Sequence, residues 1–588
     1  MSTHEEPLPT NNILIVGGGP IGLLLATVLS HHGIRSILLE RNETTTKWPK
    51  MDLTNAQSME MLRRLGLSEE MRLLGVPSDK SHNVLVSSGL AAEECVTKWE
   101  LPSVDEFRRK IQQKNDGSMP REPWQRLSQV KFEKWLKERC ERDEMIDARF
   151  GWKVEHVEVK EGKVRTRAIE LKNGESRMFI SEYAVGCDGA SSIVRRSLEM
   201  PLDGGPIHTC VLLVHFKSRD LTRIQKQGQF WHTFFMVEPG IFGGAMIAQD
   251  EIETWTVHYF LPLGTDTSAI TSEEAVYTRP SIAVARTWAT PDHRVFIAGD
   301  AAHQNIPTGG YGMNMGIGDA YDLGWKLAVA MKYGGRGLME SYTSERRPVA
   351  LRNVEHSGVH MKVHSDVAQF FEGGDPHRVD WPTEEGRALR RQLHEHYQEH
   401  DGENKDFGIE MGYVYESYVL QIPQPGEVKP PFRASQYTPS TWPGSRAPHV
   451  FLSDGSAIFD HLGMDWSLVT FADSSMHSAQ LFLDAAASLS VPLEHVDLRD
   501  EGHARSIWGC NIVLVRPDEH VAWRADSVSN TEEALRVLRL VIGLEGAEDK
   551  AGRRDSNTGL PDQIFTATME TKTQMHRYEL EQMGEFQR

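Results

Sequence analysis

The segment VGGGPIG sets Gly17, Gly19 and Gly22 in a G-x-G-x-x-G pattern between an apolar strand at 13–16 and a helix through Ser30. Gly17 permits a tight turn, Gly19 lets the backbone approach a pyrophosphate, and Gly22 lets helix and strand pack closely. The helix N-terminus then faces the phosphates with its free N–H groups. Eighteen residues after Gly22, Glu40 closes a second strand, where a carboxylate can accept hydrogen bonds from ribose hydroxyls. Pro20 and Arg41 flank these positions and join them as candidate cofactor contacts. The chemistry is dinucleotide binding, and NAD and FAD both remain open.

A second segment, RVFIAGDAAHQNIPTGGYGMNMGIGDAYDLGWKLA, bears on that choice. The apolar strand at 295–298 delivers Asp300 at its carboxyl end, where the carboxylate can bond a polyol such as the ribityl chain of FAD. The loop that follows is poor in side chains, and Pro307, Gly310, Gly312, Met313 and Asn314 open a helix. Its unpaired N–H groups and dipole would stabilise negative charge on a reduced flavin. Alone, such a loop could merely cap a helix. Together with the upstream glycines it points to FAD.

These residues need elements to hold them. The first sixty positions read as a βαβ unit, with a second strand at 36–40. Alternating stretches such as VLLVHF, HTFFMV and ETWTVHYFL between 209 and 263 read as antiparallel strands, a setting for a substrate. Ile317, Ala320, Leu323, Leu327 and Ala330 recur at helical spacing, and Gly334 with Gly335 stops that helix. The charged stretch 384–405 shows little periodicity and reads as a solvated helix or connector. Pro423, Pro425, Pro430 and Pro431 mark a linker before a small α/β domain at 435–544.

A chain of 588 residues exceeds one hydrophobic core, so two or three domains are expected. Lys plus Arg number 64 against 83 Asp plus Glu, a net charge of −19 that argues against nucleic acid as a partner. The polar, acidic N-terminus does not read as a secretory signal, and the apolar run 21–29 is short of the ~20 residues of a membrane span. A cytoplasmic location is expected. Five scattered cysteines without a C-x-x-C pair suggest neither a disulfide framework nor a metal cluster.

The 295–328 segment resembles the class A flavin-dependent aromatic hydroxylases with the para-hydroxybenzoate hydroxylase fold. Three further segments carry the same resemblance. YAVGCDGASSIVRR looks like the family's Asp-Gly motif, which implies flavin and nicotinamide roles for Asp188 and Gly189. RLSQVKFEKWL implies that Arg126 and Gln129 touch the FAD. KMDLTNAQSMEMLRRLGL places Asp52 where phenol hydroxylases carry an active-site aspartate, although Asp52 could equally cap the next helix. Residues 437–452 and 512–526 look like the thioredoxin-like domain appended to phenol hydroxylases. Without C-x-x-C, that domain implies a structural or dimer-forming role, hence a homodimer.

The resemblance implies an α/β fold: a Rossmann-like FAD-binding domain, an antiparallel-sheet substrate domain and a C-terminal thioredoxin-like domain. The monooxygenase region covers 10–430, with FAD-binding parts at about 10–80, 120–200 and 290–370 and the substrate sheet at about 81–119 and 201–289. The C-terminal domain covers 435–545, and a polar tail 546–588. The implied activity is hydroxylation of a small phenolic or polyketide-type aromatic, with NAD(P)H, chiefly NADPH, as electron donor and O2 as co-substrate. Baeyer–Villiger or decarboxylative oxygenation, and a catalytically silent FAD-binding protein, are the alternatives. For the proton relay beside the substrate the candidates are Asp52, His232 and Tyr259, with His215 and His258 behind them, while His303 reads as structural. The interval 265–294 is shorter than the family's, so the substrate sheet is expected to be trimmed there.

Overall fold

Every residue of the strand Asn12–Val16 is buried, as expected of a central strand covered on both faces. In the computed structural model it sits in the middle of a five-stranded, all-parallel sheet. The order is Val295–Ile297, Tyr183–Gly186, Asn12–Val16, Arg35–Glu40, Ile146–Phe150. The structure describes residues 4–7, 12–90, 92–207, 209–238, 241–262, 265, 275–278, 280–371 and 375–544. The polar tail lies outside the described residues.

The helix Pro20–His31 packs on this sheet and against the long helix Tyr311–Tyr333, which is buried almost all round. Two glycines permit that crossing. A Cβ at Gly316 would lie 2.5 Å from Ile21, and one at Gly324 would lie 2.5 Å from Val28. The long helix ends, as its glycines predict, with Gly334 in the left-handed conformation (φ +78°).

The antiparallel wall is a seven-stranded sheet in the order Ala275–Thr278, Thr209–Lys217, Thr254–Pro262, Ile241–Ala248, His232–Glu238, Val84–Ser87, Thr97–Trp99. Its pairings are antiparallel except that between His232–Glu238 and Val84–Ser87. The short interval after Pro262 still supplies Ala275–Thr278 as an edge strand. The strand Thr209–Lys217 is therefore flanked on that side.

Of the two readings of the charged stretch, helix or connector, Glu384–Glu399 is the helix, but not a fully solvated one. It is a helix whose Leu389, Leu393 and Tyr397 are buried, at i, i+4, i+8, against the 84–99 edge of the wall. Three apolar residues among many charges hid the stripe, but three suffice for one face.

Beyond the proline linker, 440–544 forms a four-stranded sheet in the order Leu493–Asp497, Trp466–Thr470, Ile512–Val515, Val521–Ala525. The first pair is parallel and the others antiparallel, and helices Met476–Leu489 and Thr531–Val541 pack together beside it. A charged cluster fastens this unit to the rest. Arg516, 1% exposed, reaches Glu345 at 2.9 and 3.0 Å, Asp518 at 2.5 and 3.0 Å and Asp322 at 3.3 Å. Lys326 bonds Asp322 and Glu345 from the far side. Among the described residues no helix is long and apolar enough to cross a membrane.

Candidate active site

The carboxyl ends of the parallel strands open into a cavity of about 1450 Å³ where the sheet order reverses around Asn12–Val16, the position at which open α/β sheets bind ligands. Gly17, Gly19, Pro20, Glu40, Arg41, Asp188, Gly189, Asp300, Pro307, Gly310, Gly312 and Met313 line it, and so does Gln129. The sequence-level candidates for the cofactor thus converge from four separated segments.

The glycines divide their work as their spacing implies. A Cβ at Gly17 (φ +108°) would meet the Cys187 carbonyl oxygen at 2.4 Å, whereas one at Gly19 would meet nothing within 4 Å. Gly19 therefore faces open space, with the amides of the Pro20–His31 helix behind it and no side chain capping them. Gly22 lies behind the cleft, with its absent Cβ 2.0 Å from the Gly17 carbonyl oxygen. Because backbone cannot yield there, Gly22→Ala is expected to cost about 1–3 kcal/mol by overpacking and to strip the protein of bound flavin. Urea unfolding and the flavin content of purified protein measure this. Native stability with full flavin content would refute it.

Glu40 accepts the Gly18 N–H on Oε2 at 2.7 Å and the Asn42 backbone and side-chain N–H groups on Oε1. Oε2 keeps a lone pair for a ribose hydroxyl. Asp188 binds the Ile193 N–H at 2.6 Å through Oδ2, while its Oδ1 is buried without a partner among the described residues. Burial pushes its carboxyl above the ordinary range. Asp300 projects into the cleft from a short turn, and its carboxylate has no protein partner among the described residues. That turn is held from beneath. Asp319 accepts the Gly299 N–H at 3.0 Å, and His303 and Arg346 bond the same carboxylate. His303 is structural, as expected.

At the loop, Gly309 (φ +81°) and Gly310 (φ +64°) are left-handed, and Gly310 caps the Tyr311–Tyr333 helix without a side chain. The first-turn amides at Tyr311, Gly312 and Met313 consequently have no intrahelical acceptor. An orphaned acceptor, an open glycine and two uncapped helix starts fit a dinucleotide with a polyol and an anionic ring edge. These residues suit FAD.

Three expected cofactor or catalytic residues are buried or bonded elsewhere. Arg126 does not line the cleft, because its buried guanidinium is engaged by Asp52, Glu251 and the Ala248 carbonyl. Asp52 takes part in that cluster, accepting from Trp231 Nε1 at 2.7 Å and Arg126 Nε at 3.3 Å. Burial raises its carboxyl despite both donors. Nor does Asp52 cap the next helix, since Asn55 does so through its bond to the Ser58 N–H. Asn314 bonds the Leu53 and Gly310 carbonyls and the Asn55 N–H, tying the loop to that segment instead of facing the cavity.

Strand periodicity sorts the remaining candidates. Val211, Leu213 and His258 line the cleft, so Tyr259, one residue on, faces the opposite side of the wall. His232 is in register with Ile247 and Thr256, hence on the same face as His258. Its two ring nitrogens are buried without partners among the described residues, as is His258 Nε2. Burial lowers His258 to about 4 and His232 to about 3, so both are neutral imidazoles near pH 7. Glu133 is one of the cleft residues that the sequence did not single out. Glu133 accepts from the Thr46 N–H and from Gln129 Nε2, and its position four residues after Gln129 on one helix was the available signal.

Residues 10–291 and 282–357 match a family profile described as FAD binding domain, and residues 440–544 one described as aromatic-ring hydroxylase, C-terminal. The FAD-dependent monooxygenase apdD of Emericella nidulans is 47% identical over 574 residues, covering 92% of this chain and 91% of the relative. The 2,4-dichlorophenol 6-monooxygenase of Cupriavidus pinatubonensis is 27% identical, covering 92% and 98%. Among solved structures, the flavin-dependent monooxygenase PieE in complex with FAD and substrate superposes with a TM-score of 0.80 at 27% identity, covering 92% of this chain and 100% of that one.

Proposed function

The chain belongs to the FAD-dependent monooxygenases that join an FAD-binding domain to an aromatic-ring hydroxylase C-terminal domain, and from that premise we propose that it hydroxylates a phenolic or polyketide-type aromatic with NADPH and O2. One observation carries the reading: a single cavity runs from Gly19 and Asp300 to Val211, Leu213 and His258 on the wall. A substrate ring lying on that wall would be next to the loop 307–313. One relative, the 2,4-dichlorophenol 6-monooxygenase, acts on such a ring by name.

When bound, FAD supplies the redox centre that takes electrons from NADPH and activates oxygen. This chain's own residues bind and orient it. In this reading Glu40 accepts from the ribose, the first-turn amides behind Gly19 meet the pyrophosphate, Asp300 holds the ribityl chain, and the 311–313 amides face the polar ring edge. The wall excludes water from the reacting ring. His258, with His232 on the same face of the wall, offers a neutral nitrogen to the substrate's hydroxyl, either to orient it or to take its proton. Asp52 and Arg126 hold the wall to the FAD-binding part. We read the 440–544 unit as a thioredoxin-like scaffold, in which Cys510 has no partner cysteine in sequence, and as the site of dimer contact.

The test is NADPH consumption by FAD-loaded protein against a panel of phenols and aromatic polyketides, with product mass. Gain of one oxygen on an intact ring is expected. Replacing one neutral hydrogen-bonding group, His258→Leu should lower kcat/KM about five- to tenfold, whereas Tyr259→Phe should leave it within about twofold. If no aromatic compound accelerates NADPH consumption, the substrate class is wrong. If Tyr259→Phe is the more damaging change, the assignment of the wall's faces is wrong.

A further inference from the structure

Glu403 follows the charged helix Glu384–Glu399 and is only 5% exposed. Its Oε1 accepts the Gly309 N–H at 2.9 Å, and its Oε2 meets His364 Nε2 at 2.8 Å. Burial would raise this carboxyl, but His364, His360 and the Gly309 N–H hold it down at about 2. A buried carboxylate thus stands directly behind the loop. His364 bonds the Tyr397 hydroxyl at 3.4 Å on its other side and lies 4.2 Å, centroid to centroid, from Phe234 of the wall. Two neighbouring bonds fix the same loop: Tyr311 Oη with His360 Nε2 at 2.9 Å, and Thr308 Oγ1 to the Ser357 carbonyl at 2.7 Å.

The Gly309 N–H is committed to Glu403, and the Gly310 N–H to the Pro307 carbonyl at 3.0 Å. Gly309 is therefore pinned from behind and Gly310 within the turn itself, which leaves the 311–313 amides pointing forward. We propose that Glu403 is a positioning residue for the flavin: seated on His364 and gripping the Gly309 amide, it fixes the turn that aims the Tyr311–Tyr333 helix at the polar edge of the ring. The inference rests on the reading that the loop 307–313 receives that edge. Through His364 and Phe234 the same contact joins the flavin loop to the substrate wall, so the two sides of the cavity share one buried support.

Three variants test it. Loss of a charge-assisted bond in Glu403→Ala should weaken FAD binding to the apoprotein about ten- to a hundredfold in a fluorescence titration. Glu403→Gln keeps an acceptor for Gly309 but removes the buried negative charge. It should bind FAD within about threefold of the native protein, with the midpoint potential of bound FAD shifted to more positive values. If Glu403→Ala does not fold, the potential of Glu403→Gln decides alone, and an unshifted potential overturns the proposal. A lowered melting temperature with native FAD affinity and potential also overturns it, because Glu403 would then be a prop of the fold only. Asp300→Ala separates the two levels of argument. Loss of FAD in Asp300→Ala but not in Glu403→Ala defeats this proposal alone, and loss in neither defeats the reading of the cleft.

Discussion

Asp300→Ala is expected to yield a folded protein that has lost most of its flavin. The carboxylate projects into the cleft, bonds no described residue, and sits on a turn fixed by other groups: Asp319, His303 and Arg346. Its removal should therefore change the stability of the apoprotein by no more than about 0.5 kcal/mol, as for an exposed group without structural partners. A carboxylate bonded to a polyol contributes about 1.5–3 kcal/mol, which corresponds to about a ten- to hundredfold weaker Kd for FAD. Asp300→Asn, which retains one acceptor, should fall between. The measurement is a titration of apoprotein with FAD, with urea unfolding of the same samples. Unchanged affinity would remove Asp300 from the site. A large loss of stability would make it part of the scaffold.

Arg516→Ala is expected to have the largest effect on stability, through an unpaired buried charge. Glu345 and Asp518 are fully enclosed, and Arg516 keeps their carboxyls below the usual range against the penalty of burial. Without the guanidinium, Asp322 and Glu345 would be left to share Lys326, and Asp518 would keep His520 beside it. Breaking a buried pair in this way costs about 3–5 kcal/mol, and the 440–544 unit should loosen from the helices Tyr311–Tyr333 and Gly337–Ser365. Arg516 also lies over the rings of Trp325 and Tyr415, so lost packing is the competing explanation. The pair Arg516→Met with Glu345→Leu distinguishes them. It should be less destabilised than Arg516→Ala, since it removes a stranded carboxylate together with its partner. Denaturant unfolding of both variants is the check, and a double variant less stable than the single one would assign the effect to packing.

Chemistry carried by backbone shape was legible in the chain itself. Gly17, Gly19, Gly22, Gly310 and Gly312 are demanded by φ values, close approach or the need for bare amides, and these requirements act within a few residues. The strands at 209–217, 232–238 and 254–262 were visible for a similar reason, because alternation is local. The buried face of the helix at 384–399 was not, since it depends on a partner surface nearly three hundred residues earlier, at Thr97 and Trp99.

Side-chain destinations obeyed a different logic. The local patterns were enough to mark an FAD-binding domain and the segments that line its cleft, Asp300 and the 307–313 loop among them. Tertiary packing alone pairs Arg126 with Asp52 outside the cleft lining, turns Tyr259 away from the face that His258 and His232 share, and brings Glu403 to the loop. The reason is physical. A glycine's role is set by its own backbone, whereas a charged side chain goes wherever burial leaves it an opposite charge or a donor, and that partner is chosen by the fold.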